Sequence, residues 1–273
     1  MNEQSLKDRL RIISKERNIR FNECWRKLIL ERFLFRLSCS SYASRFIFKG
    51  GFLLAYLMEI GRETMDLDFL LTKMKAKKKE IKEAINEIAS LQFKDGFLFK
   101  YASIESLEQP HMDYTGYRVS LHATFGRMRD KIYIDVGVGD IVQPINHKLS
   151  LFTYKDNPMF EDEISLMVYP LETIFAEKLE TIISKGSINS RMKDYHDLLL
   201  LTRKSHMINH IRLRESINST FYNRGISFQL IKFNENELDS LQRFWVAHRR
   251  NLGNIAEKLY LPLSIEEVIL EIN

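Results

Sequence analysis

The chain has 273 residues, 45% of them hydrophobic and 28% charged, which is enough apolar material for a full core and excludes a disordered or low-complexity protein. Its 41 Lys and Arg exceed 36 Asp and Glu, giving a net charge of +5 and a pI near 9.0, a mild excess that suits a polyanionic partner without requiring one. Two cysteines, Cys24 and Cys39, have neither the count of a disulfide framework nor metal-ligand spacing, no secretory leader is expected, and no apolar run reaches membrane-spanning length, so the sequence points to a cytoplasmic protein with no membrane partner.

Residues 5 to 40 carry Leu6, Leu10 and Ile13, then Trp25, Leu28, Ile29, Phe33 and Leu37, at helical spacing, which predicts two amphipathic helices. Lys49-Gly50-Gly51 follows, and then Phe52 to Met58, an apolar run that fits a buried helix. Glycines lack Cβ atoms, so backbone N–H groups at Gly50 and Gly51 can approach a triphosphate closely, with the helix N-terminus behind them. Next comes Asp66-Leu67-Asp68-Phe69. In a strand the two carboxylates share a face, while Leu67 and Phe69 point into the core. Like charges that close repel unless a cation lies between them, and paired oxygen ligands suit Mg²⁺ or Mn²⁺. The competing reading is a solvated strand end.

Lys73, Lys75, Lys77, Lys78, Lys79 and Lys82 then surround the start of a helix whose apolar stripe is Ile81, Ala84, Ile85, Ile88 and Leu91. Its cationic face is either simply solvated or a site for a nucleic-acid backbone. From Phe97 the pattern alternates, predicting antiparallel strands over Phe97 to Ser103, Tyr114 to Thr124 and Lys131 to Val138, with Gly126 to Asp130 as a hairpin turn. In the last strand Ile132, Ile134, Val136 and Val138 share a face, leaving Asp135 on the other. If this strand lies beside the Asp66 strand, Asp135 joins the carboxylates and can orient an attacking hydroxyl or help hold a second metal; otherwise it is a surface aspartate.

Asp140 to Glu163 has weak periodicity and marks a boundary between a first domain, 1–160, and a mostly helical second one, 161–273. Pro170 opens a helix in which Leu171, Ile174, Phe175, Leu179 and Ile182 form an apolar arc with Lys178 in its middle. An ammonium in that position must snorkel to water or meet buried negative charge. Glu177 and Glu180 fall on what reads as the polar face. A further helix runs from Arg191 through Leu201, where Asp194 and Asp197 share a face with Leu198 and Leu201; at least one is expected to turn inward, and Asp194 is the expected partner of Lys178 unless it merely favours its own helix N-terminus. Helices are also predicted over His206 to Phe221, Glu237 to Leu252 and from Ser264, whose Ser264-Ile265-Glu266-Glu267 reads as a capping box. His206 and His210 have zinc-like spacing, but no adjacent Glu completes a metallopeptidase pattern.

Four pieces stand in order: Lys49-Gly50-Gly51, Arg62-x-Thr64-x-Asp66-x-Asp68-Phe69, Glu177-Lys178, and Arg191-x-Lys193-Asp194-x-x-Asp197. Together they resemble the nucleotidyltransferase family of AbiEii and AbiGii toxins, from bacterial toxin-antitoxin and abortive-infection systems, over roughly Phe46 to Leu201. The resemblance implies an α+β, polymerase-β-like nucleotidyltransferase fold, a mixed sheet with flanking helices and a helical C-terminal region that contributes Lys178 and Asp194 to the cleft. It also implies Gly50 and Gly51 as the glycine turn, Asp66 and Asp68 as metal carboxylates, and Thr64 as the hydroxyl residue before them. Lys49, Arg62 and Thr64 join the glycines as nucleotide-binding candidates, and Asp135 joins Lys178 and Asp194 as a catalytic candidate on the strand argument alone. The chain departs from the wider superfamily where Gly-Ser is common, so Thr64 or Arg62 is left to make the phosphate contact of that serine.

The expected activity is Mg²⁺- or Mn²⁺-dependent transfer of a nucleoside monophosphate from an NTP to RNA, above all the tRNA 3′ end, blocking translation, with a cognate antitoxin as partner. The alternatives are nucleotidyl or phosphoryl transfer to a protein or small molecule, and a non-catalytic nucleic-acid-binding module.

Overall fold

The computed structural model describes residues 1–107, 116–160 and 163–273. The chain divides into two compact units: Met1–Leu57, Glu63–Gly139 and Pro144–Val168 form the first, and Met58–Arg62, Asp140–Gln143 and Tyr169–Asn273 form the second. The fold is α+β, with a mixed sheet flanked by helices and a helical C-terminal region, as expected.

The first unit opens with α1 (Glu3–Glu16) and α2 (Phe21–Ser38), continues through β1 (Phe46–Lys49), α3 (Gly50–Leu57), β2 (Asp66–Leu71) and α4 (Lys78–Ser90), and then runs into β3 (Phe97–Leu107), β4 (Gly116–Phe125) and β5 (Met128–Gly137). It ends with β6 (Ile145–Lys148), the short pair β7 (Thr153–Tyr154) and β8 (Asn157–Pro158), and β9 (Ser165–Val168). Seven of the described strands make one sheet in the order β3-β4-β5-β2-β1-β9-β6. Within it β2 runs antiparallel to β1 and parallel to β5, so the acidic strand has a neighbour on each side. The alternation read in β2 and β5 holds: Leu67, Phe69, Ile132, Ile134 and Val136 are buried, and Asp66, Asp68, Tyr133 and Asp135 are less so. α4 buries Ile81, Ala84, Ile85 and Ile88 and leaves its lysines exposed.

Three local expectations are corrected in this unit. The β4–β5 turn is only Gly126-Arg127, because Met128 to Asp130 already pair with Phe125, Thr124 and Ala123. Gly126 has φ +57, which a two-residue hairpin requires and glycine adopts without cost, and the Glu3 carboxylate accepts the Arg127 N–H. The predicted residues Tyr114 and Thr115 lie outside the described residues.

α2, second, is not a one-faced helix. It is buried nearly all round, Arg32 and Arg36 included, because both guanidiniums bind the Asp95 carboxylate at 2.9 Å and Arg36 also donates to the Phe97 carbonyl at 2.8 Å. Two cations share one carboxylate, and the excess charge is softened by the faces of Phe35, Phe160, Phe93 and Phe99 within about 5 Å. Third, the boundary region Asp140 to Glu163 supplies β6 to the sheet itself, and β9, just after it, joins the same sheet.

The second unit is helical: α5 (Leu171–Lys185), α6 (Met192–Arg203), α7 (His210–Asn223), α8 (Glu235–Leu252), α9 (Asn254–Lys258) and α10 (Ile265–Ile272). Trp245 is fully buried and donates its indole N–H to the Pro262 carbonyl at 2.9 Å. The capping box belongs to α8, where Asn234 and Glu237 exchange hydrogen bonds; at α10 the Ser264 hydroxyl accepts only from the Glu266 N–H, so it caps the helix without the reciprocal bond. Glu177 and Glu180 are not on a solvated face. Arg224, at the end of α7, donates to Glu180 and also pairs with Glu177 and Asp140, leaving Glu180 only 4% exposed. His206 and His210 stand on separate elements, so their sequence spacing has no helical meaning. No helix among the described residues is long and apolar enough to cross a membrane.

Candidate active site

The sheet register places one charged residue of each of four adjacent strands in a row. Lys49 of β1 faces Asp68 of β2, Asp68 faces Asp135 of β5, and Asp135 faces Arg118 of β4. Register partners project to the same side, so two carboxylates stand between two cations on one face, with Asp66 two residues along β2 beside Tyr133. The sequence could bring Asp135 to this face only conditionally, and the β2–β5 pairing supplies the condition. Arg118 was not legible as a member, because its place beside Asp135 is set by the β4–β5 register. It donates to both oxygens of Asp135 at 2.7 Å and reaches an Asp66 oxygen at 3.5 Å, and these hydrogen bonds raise its pKa against the opposing effect of burial.

Gly50 closes the row at the start of α3. Its φ is +77, and a Cβ built there would lie 2.0 Å from Asp68 Oδ2, so the carboxylate occupies the space that any side chain would need. Gly50→Ala is therefore expected to displace Asp68 and to cost about 1–2 kcal/mol for the left-handed backbone alone. Thermal melting would register the second effect and loss of nucleotidyl transfer the first; wild-type values of both would contradict the close approach. The Thr64 hydroxyl, two residues before Asp66, is buried with no hydrogen-bond partner among the described residues.

A second cluster lies within the helical unit. Lys178 Nζ is 2.9 Å from Asp194 and 2.7 Å from Asp197, both of which are buried, so both aspartates of α6 turn inward and the lysine takes the buried-charge option. Arg62 donates a two-pronged pair to Asp197 at 2.8 and 2.6 Å, and Arg191 donates to Asp194 at 2.9 Å. Burial would raise the Asp197 carboxyl, but Lys178 and Arg62 hold it well below the ordinary carboxylate range. Burial likewise opposes the charged lysine, and Asp197 and Asp194 more than restore it. Lys178, Arg62 and Arg191 all converge on the two aspartates, and Lys193 beside them is pushed down by desolvation and by its cationic neighbours. Asp197 as the keystone of this network was missed, although it stands in the fourth motif; its partner Arg62 is 135 residues away in sequence.

His196 Nδ1 and His248 Nε2 share a hydrogen bond of 2.9 Å in the same unit. One ring must accept, so both cannot be protonated, and burial brings both down to about 4. The unfolded chain takes up these protons as pH falls through about 6.5 and the folded chain only near 4, so stability present above pH 6.5 is lost progressively down to pH 4. For the fully buried His196 the linkage amounts to at most roughly 3 kcal/mol, and His248, being more exposed, adds less. Urea midpoints at pH 7.5 and 5 would measure the drop, and His248→Gln should remove its smaller share and leave that of His196; equal midpoints for the wild type would refute it.

The family comparison decides among the chemistries this geometry allows. The AbiEii nucleotidyl transferase toxin of type IV toxin-antitoxin systems matches the chain over residues 32–262. The chain belongs to the AbiEii toxin family. As an AbiEii member it is a nucleotidyltransferase and a toxin, and membership implies an NTP substrate and an antitoxin partner. Solved structures that resemble it include JHP933 from Helicobacter pylori, at 15% identity and TM-score 0.45, covering 92% of this chain and 88% of that one. A candidate nucleotidyltransferase from H. pylori aligns at 16% identity and TM-score 0.41, covering 89% and 88%. No curated protein matches the chain.

Proposed function

We propose that this AbiEii protein transfers a nucleoside monophosphate from an NTP to the 3′ end of tRNA in the cytoplasm, and that the modified tRNA no longer supports translation. The observation that carries the reading is the four-strand charge row closed by Gly50, which supports a site for a metal-bound triphosphate. Hard carboxylate oxygens on one face and a backbone cradle whose space a Cβ would fill fit Mg²⁺ or Mn²⁺, with Asp66 and Asp68 as the residues that would hold it. When bound, the ion would neutralise charge developing on the transferred phosphoryl group.

The protein's own groups supply positioning. Gly50 and Gly51 offer backbone N–H groups to phosphate oxygens at the start of α3, Thr64 offers its buried hydroxyl, and Lys49 stands next to Asp68 in the register. Asp135 orients the acceptor hydroxyl and accepts its proton as the hydroxyl oxygen bonds to the α-phosphorus and the bond to the leaving pyrophosphate breaks. For Lys178, Arg62 and Asp194 the proposed roles follow the family motif, and the convergence of Lys178 and Arg62 on one carboxylate supports a part in compensating anionic substrate. The exposed lysines of residues 73 to 82, with Lys82 over the Tyr101 ring at 5.1 Å, support an RNA backbone as the acceptor.

Incubation with total RNA and each α-labelled NTP in turn tests this. Label in the tRNA fraction with one or more nucleotides is expected. Absence of label from RNA with all four would overturn the RNA reading, and transfer from γ-labelled rather than α-labelled NTP would overturn nucleotidyl transfer.

A further inference from the structure

The charge row contains a cation whose position is tied to the carboxylates rather than to any substrate. Arg118 commits Nε and Nη2 to the two oxygens of Asp135, each at 2.7 Å, and the same Nη2 lies 3.5 Å from Asp66 Oδ2. A planar guanidinium matches a carboxylate in this two-pronged way, whereas an ammonium would not. The guanidinium also sits 5.6 Å from the Tyr133 ring centre, and its side chain is 37% exposed, so solvent reaches it. Among the described residues no three His, Cys, Asp or Glu side chains are gathered as a metal cage.

We infer that Arg118, held in place by Asp135 and reaching Asp66, competes with the divalent cation for the Asp66 carboxylate, so that this residue sets the metal affinity of the site. The inference rests on the proposed metal role of Asp66 and Asp68. A guanidinium that stayed on a carboxylate shared with a divalent ion would repel that ion even through water, by enough to weaken its binding about tenfold. Arg118 is thus a positioning residue whose release accompanies metal entry.

Mn²⁺ binding without nucleotide, measured by titration calorimetry or by the paramagnetic resonance of free Mn²⁺, reads this directly. Arg118→Gln should bind Mn²⁺ about tenfold more tightly than the wild type, Arg118→Lys by a smaller factor, and Asp68→Asn should bind far more weakly. If Arg118→Gln keeps the wild-type circular dichroism but binds no more tightly, while Asp68→Asn loses binding, the competition is refuted and the metal reading stands. If the wild type and Asp68→Asn bind alike, the metal reading fails and takes the inference with it. Should Arg118→Gln not fold, Arg118→Lys decides, and affinity equal to or below the wild type refutes the competition.

Discussion

Asp68→Asn is expected to lower nucleotidyl transfer by about a thousandfold or more while leaving the protein folded. The substitution keeps the shape of the side chain beside Gly50 and removes one negative charge, so the loss isolates electrostatics from packing. Several kcal/mol of transition-state stabilisation depend on that charge if the proposed metal role holds, and each 1.4 kcal/mol is about a factor of ten in rate. Stability should change by no more than about 1 kcal/mol, because a half-exposed charge flanked by Lys49, Asp135 and Arg118 loses a repulsion as well as an attraction. Label transfer from α-labelled NTP, together with a melting curve, measures both. Retained transfer within tenfold of the wild type would remove Asp68 from the chemistry.

Asp197→Ala should be the most damaging substitution to stability, at about 3–5 kcal/mol. The residue is fully buried and compensates two cations, Lys178 at 2.7 Å and Arg62 through a two-pronged bond. Its removal takes the shared carboxylate from both Arg62 and Lys178, and Asp194 stays to offset the lysine. Lys178→Met provides the contrast, since Asp197 then still has Arg62 and Asp194 still has Arg191. Its fold should survive better than that of Asp197→Ala. Urea midpoints of the two variants settle the order, and an Asp197→Ala loss below about 1 kcal/mol would show that water reaches the cluster and screens it.

The parts of this molecule that could be read from sequence are those fixed by neighbours a few residues away. Alternation placed Leu67 and Phe69 inside and Asp66 and Asp68 on the other face, and the 3.6-residue period placed the apolar stripe of α4. Lys178 announced a buried partner because it interrupts an apolar arc. What escaped was set by distant pairing. Arg62 meets Asp197, Arg118 meets Asp135, and Arg224 turns Glu180 from a surface residue into a buried one, each through strand order or helix packing that no local window contains. The same holds for Arg32 and Arg36, which hide in an ordinary charge count until Asp95 comes to meet them. The demand for glycine at position 50 was legible as a preference for close backbone approach, but its immediate cause, the Asp68 carboxylate in the space of a Cβ, depends on the β1–β2 register.

Because β2 is laddered to β1 on one side and β5 on the other, the spacing of its aspartates cannot drift independently of the sheet. A slip or insertion of a single residue within Asp66–Leu71 would exchange its two faces, driving the aspartates into the apolar interior and Leu67 and Phe69 out of it. Length changes in descendants of this chain should therefore collect in the segment that joins β2 to α4 and avoid the strand altogether.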